Sequence, residues 1–196
     1  MKRVLSVCLL LLAGCVVQSF GPFCTDQSVV YVREVIGEWK LQKDFGDDVS
    51  TNAISFWVFA GDTATNCTLK AFDKGNIGAK FGARCFKLGR SMFIDVIPAD
   101  FGEGTKLNSY WMWTERAMHT VCKVESDGET LTLIPLDFNW FKKQLQGNET
   151  GLPCAGNVDA EFIVTANPKQ WEAFLSKHAT DPEAFPQKHA FVLKRN

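Results

Sequence analysis

Asp95, flanked by apolar residues, and three histidines, His119, His178 and His189, are the side chains of this 196-residue chain best suited by type to proton chemistry. On a strand, Asp95 shares a face with Phe93 and Ile97, and His119 opens a later strand able to lie opposite. A carboxylate beside an imidazole orients it for general-base work, with Arg116 as the cation expected to converge with them in one cleft. Hydrolysis also requires a nucleophile or a metal. No G-x-S-x-G, H-E-x-x-H or Cys/His spacing supplies either, so no residue is assigned as catalytic and a satisfied structural pair is the expectation. No metal site and no cofactor are expected. His178 ends an apolar helical face near a helix C-terminus, where packing or capping accounts for it and the dipole favours the imidazolium. The segment Ser109-Tyr110-Trp111-Met112-Trp113 concentrates aromatics beside a polar loop. It reads either as a rim for an apolar or sugar-like ligand or another protein, or as a strand buried on both sides. A ligand site on this reading gathers Trp57, Phe93, Asp95, Tyr110, Trp111, Trp113 and His119.

The elements that must position these residues are mostly strands. Runs of aromatic and β-branched residues begin at Gly37 and recur over 53–60, 64–72, 80–88, 91–97, 119–125, 130–136, 160–165 and 190–195, separated by Gly, Asp or Asn. Nine short strands without β-α-β alternation predict a mainly β domain, an antiparallel lipocalin-like barrel or a strongly curved meander sheet, with two helices packed near its end. The first helix is capped by Asp137, presents Phe138, Phe141 and Leu145, and stops at Gly147. The second is capped by Asn167, has Pro168 at its first position, and lines up Trp171, Phe174, Leu175 and His178. A composition of 46% apolar and 22% charged residues, with a net charge of −1, fits one globular domain and lacks the basic footprint of a nucleic-acid binder.

At the N-terminus, Lys2 and Arg3 precede the apolar run 4–12, which is too short to span a bilayer, and then comes Leu12-Ala13-Gly14-Cys15. That tetrapeptide resembles the bacterial lipobox, whose cysteine is diacylated, typically with palmitate, and becomes the first mature residue. The expected division is a signal peptide at 1–14, a tether at 15–27 and a single domain at 28–196. The acyl chains at Cys15 anchor the protein to a membrane. Val16 after the cysteine, rather than Asp, implies the outer membrane of the cell envelope, facing the periplasm. Loss of Lys2 and Arg3 leaves 19 basic against 22 acidic residues, so no polybasic surface adds to the anchor.

In an oxidising envelope, five further cysteines invite disulfides. Cys67 and Cys85 are symmetric about Asn76 in a hairpin loop and form the first expected pair, Cys122 and Cys154 the second, with Cys24 left over.

Gly37-x-Trp39 in the first strand and Lys194-Arg195 in the last resemble the barrel closure of lipocalins, in which an arginine of the final strand covers the indole of the first. The stretches Ala83-Arg84-Cys85-Phe86-Lys87-Leu88-Gly89, Phe93-Ile94-Asp95-Val96-Ile97-Pro98, Leu131-Thr132-Leu133-Ile134-Pro135-Leu136-Asp137 and Phe174-Leu175-Ser176-Lys177-His178-Ala179 are similar in style to a family of bacterial envelope proteins without an established activity. The resemblance implies a barrel closed by Trp39 and Arg195. It brings no mechanism. The function expected is binding, of a small apolar ligand in the barrel or of another envelope component. The alternatives are a scaffold with a filled barrel or an envelope hydrolase.

Overall fold

The computed structural model describes residues 16–45, 47–48, 55–61, 66–73, 76–100, 118–159 and 162–196. Eight antiparallel strands close into a barrel: β1 (Gly37–Asp44), β3 (Ser55–Gly61), β4 (Cys67–Asp73), β5 (Asn76–Leu88), β6 (Ser91–Asp100), β7 (Thr120–Ser126), β8 (Thr130–Pro135) and β11 (Phe191–Arg195). The two-residue β2 (Asp47–Asp48) pairs with the end of β1, and β11 returns to β1 to complete the ring. The strand expected at 160–165 is not in the wall. Its core, β10 (Phe162–Val164), pairs with β9 (Cys154–Gly156) in a separate two-stranded sheet.

Two apolar cores lie on opposite sides of the wall. Every barrel strand contributes to one of them, through Leu41, Phe59, Leu69, Ala83, Ile94, Val124, Leu131 and Leu193, and only the barrel interior can gather all eight. The other draws Phe86, Phe93, Val121 and Ile134 from β5–β8, with the half-buried Val192 of β11 beside them, on the outer face. Over it lie α1 (Phe138–Gln146) and α2 (Pro168–His178), which bring Trp140, Phe141, Trp171, Phe174 and Leu175. The helices thus cover the wall instead of entering the barrel. Both start where the capping residues dictate: Asp137 accepts from Trp140 N at 2.7 Å, and Asn167 and Gln170 form a reciprocal capping box.

The segment expected to be a tether is part of the packed body. Val16, Val17, Ser19, Phe23 and Cys24 are all buried. This N-terminal strap descends the outer wall. Val16 bridges to Asp137 beside the end of β8, and Ser19 exchanges backbone hydrogen bonds with His119 at the start of β7. Lower down, Val30 N donates to the Cys85 carbonyl and Lys87 N to that of Ser28. A tether would require these side chains to stay hydrated. Their apolarity instead drives them onto the exposed apolar face of the wall.

Beyond Val30 the strap turns beneath the barrel's lower end, where β1 begins and β11 finishes. Arg195 closes that end with its guanidinium carbon 4.3 Å from the Trp39 ring centroid. It donates to the carbonyls of Glu34 and Gly128, each at 2.8 Å, and more distantly to that of Ile36 at 3.4 Å. Trp39 Nε1 in turn donates to Val35 O at 2.8 Å. Gly37 is required here: its φ is +137°, and a Cβ would stand 3.0 Å from Arg195 Nη1. The lipocalin-like closure therefore has its expected parts, Trp39 and Arg195, in contact.

Neither expected disulfide is formed. The β4–β5 register places Asp73 opposite Asn76 and Cys67 opposite Ala83, so the hairpin is centred before Asn76 and Cys85 lies two residues past Cys67's partner. Cys67 and Cys85 are diagonal on one face, a poorer geometry than the directly opposed pair the spacing implied. Cys122 belongs to the interior side of β7, whereas Cys154 lies in the outer β9–β10 sheet, so the wall separates them.

Replacing Arg195 with Ala removes a cation–π contact and charged hydrogen bonds to several carbonyls, and should lower unfolding stability by about 2–4 kcal/mol. Urea denaturation checks this, with Arg195→Lys expected to recover only part of the loss.

Candidate functional site

The inward face of the barrel changes character along its length. Trp39, Leu41, Phe59, Leu69, Ile94 and Leu193 are buried along this face, and a void of about 10 Å³ lies by Ile36, Cys67 and Cys85 near the lower end. It holds a water at most. The inward Trp57, Phe81, Val96 and Cys122 are half-buried; Trp57 lies toward the upper end, while Phe81 pairs with Leu69 and Cys122 with Ile94 midway along the wall. At the upper rim Phe45 takes a left-handed conformation, φ 50°, that a bulky residue rarely adopts. Its ring stacks on His189 with centroids 4.8 Å apart and meets Phe191 edge-on at 6.0 Å. Phe191 reaches Trp57 at 5.3 Å. Among the described residues, Phe45 and Trp57 thus keep partly exposed apolar surface at this end, beside the buried Phe191.

The residues singled out as a ligand site therefore divide across the wall. Trp57 faces the upper interior. Phe93, fully buried, faces outward onto Phe86 and Phe185, so it cannot line the same pocket as Trp57. Asp95 and His119 also belong to the outer side. Tyr110, Trp111, Trp113 and Arg116 lie outside the described residues, as does the lipobox with Cys15. Phe45 and Phe81 were not anticipated from sequence, although an aromatic at the end of each run is the signal that marked them.

Asp95 and His119 do meet. His119 Nδ1 lies 2.8 Å from Asp95 Oδ1 and donates to that carboxylate oxygen. The carboxylate is 3% exposed as a residue, and its other oxygen accepts from Phe23 N at 3.3 Å with Arg84 Nη2 4.0 Å away. Among the described residues Arg84 is the neighbouring cation, and it continues to Asp26 at 3.1 Å. Cys24, beside this group, is pushed up to about 12 by burial first and by the Asp95 charge second, so it stays a thiol rather than a nucleophile. The arrangement binds strap to wall. Two further pins come from α2: Trp171 Nε1 donates to the buried Ser19 hydroxyl at 2.9 Å, and Glu172 Oε1 accepts from Thr25 N (2.7 Å), Thr25 Oγ1 (2.8 Å) and Ser28 Oγ (2.6 Å).

His178 packs its ring against Phe174 and Trp140 at 4.7 and 5.0 Å, and burial, then Lys177, lowers its pKa. The neutral ring of a packing residue thus prevails over the imidazolium that the helix dipole favours. Outside the barrel, a surface groove of about 270 Å³ runs between Glu149–Leu152 and the Gln170, Phe174 and Lys177 side of α2.

No protein-family model matches the chain, and neither the curated proteins nor the solved structures hold a match to it.

Asp95→Ala strands the Phe23 amide and the His119 ring, and should cost about 2–4 kcal/mol, with faster amide hydrogen exchange concentrated in 18–28. The Glu172 clamp adds a pH dependence. Burial pushes that carboxyl up, but the hydrogen bonds from Ser28 and Thr25, with Lys169, hold it below the ordinary Glu value. A depressed folded pKa stabilises fully above the unfolded value and is lost as pH falls through the folded one. Strap protection, followed by hydrogen exchange, should therefore weaken on acidification below the usual carboxylate range, and Glu172→Ala should remove that step.

Proposed function

We propose that this protein is an envelope lipoprotein, anchored to the outer membrane through acylated Cys15, whose barrel binds a small apolar molecule in its upper half. The observation that carries the reading is the half-buried inward set Trp57, Phe81 and Val96 within an otherwise buried apolar interior. Ligand sites are concave, mostly apolar surfaces backed by rigid structure, and a closed barrel sealed at one end supplies that backing. The lipobox supports the anchor, and a mature charge excess of acid over base gives nucleic acid no foothold. One observation favours a second reading: an interior filled largely by side chains such as Trp39, Phe59, Ile94 and Leu193 is what a barrel serving only as an interaction scaffold would show.

Titration with the apolar fluorophore N-phenylnaphthylamine separates the two. Binding predicts saturable enhancement, weakened about tenfold by Trp57→Ala as one aromatic contact is lost, and unchanged by Lys87→Ala at the lower end. No saturable enhancement would leave the scaffold reading. Intact mass spectrometry of protein taken from its native membrane tests the anchor directly, with a diacyl or triacyl increment on Cys15 expected.

A further inference from the structure

The strap decides where an acyl group on Cys15 must emerge. Val16 is buried and bridged to Asp137, so the modified residue is separated from the folded body by no spacer. Asp137 stands just past the end of β8, at the upper end of the barrel. Its Oδ2 lies 3.0 Å from His189 Nδ1, His189 stacks on Phe45, and Phe45 and Trp57 both contact Phe191. A continuous set of contacts thus joins the attachment point to the upper rim. The opposite end is the one plugged by residues 31–36 and Arg195. Phe20, 51% exposed, lies within five residues of Cys15 and adds an aromatic ring of the kind that settles at a membrane interface.

From this we infer that the upper end of the barrel is a membrane-docking surface, held against the phospholipid bilayer that carries the Cys15 acyl chains. The inference rests on the anchored reading proposed above and specifies its geometry: the end carrying Phe45, Trp57 and His189 faces the bilayer, and the plugged end points away. The described rim carries charges of both signs, with Lys43 opposite Asp48 and Lys80 opposite Asp100. Asp44 and Asp47 lie there, and Asp44 is raised by burial and then by Asp47, while Lys188 is the exposed base of the short turn before β11.

Lysine acetylation on vesicles tests this. The acylated protein is placed in phosphatidylcholine vesicles, floated, and labelled with a water-soluble acetylating reagent. The reference is the chain lacking residues 1–15, which retains every described contact. Docking predicts that acetylation of Lys188 slows about fivefold or more, while Lys87 and Lys194 at the plugged end change less than about twofold. Protection of Lys87 and Lys194 instead, or equal reactivity of all three in protein that floats, overturns the docking. Failure to float, with no acyl mass on Cys15, overturns the anchored reading itself and the docking with it.

Discussion

A strand that is apolar on both faces cannot sit in a barrel wall with one face in water, and β5–β8 are such strands. Ile94 and Phe93 are neighbours in β6 and both fully buried, one into the barrel and the other away from it. The rest of the structure follows from covering that outer face. Each large side chain buried there is worth about 1.5–3 kcal/mol, and the residues available to cover it are the N-terminal strap and the two helices between β8 and β11. Trp171, Phe141 and Phe23 close over the wall as a connected aromatic layer, with Phe23 and Trp171 centroids 4.3 Å apart and Phe141 and Trp171 5.7 Å apart.

Apolar contact alone does not select a register for an irregular strap. Polar pins do so because they are buried and must be matched. Asp95 takes the Phe23 amide, Ser19 takes the Trp171 indole, and Glu172 gathers Thr25 and Ser28. Among the described residues no buried side-chain nitrogen or oxygen is left unmatched. The pair that looked like the start of a catalytic apparatus, Asp95 with His119, is one of these pins. Its carboxylate is committed to the strap on one side and to the imidazole on the other.

The same strap gives the barrel two unlike ends. At its finish it plugs the lower end, where Arg195 satisfies strap carbonyls over the Trp39 ring. At its start it reaches the upper end, where the rings of Phe45, His189, Phe191 and Trp57 meet. One piece of chain thereby seals the lower end and begins, at Val16, beside the upper one.

The strand runs, both helix caps and the Gly37, Trp39 and Arg195 closure were legible in the sequence, because alternation, capping chemistry and a three-residue steric constraint are local. The Asp95–His119 pairing was legible as well, since alternation already placed the acid on an apolar face. Other features depended on contacts far apart along the chain. Cys67 and Cys85 miss each other because a shift of the hairpin centre, invisible in spacing, moves the whole β4–β5 register. Phe93 and Trp57 fall on opposite sides of the wall because side-chain direction depends on which strand face the closed barrel turns inward. Residues 16–27 read as a tether because nothing local tells a short irregular segment which surface it will meet. By itself the sequence determined the elements and the parts of the closure; the tertiary structure decided which faces are interior, since only closing the ring and laying the strap across it defines an inside, an outside and two different ends.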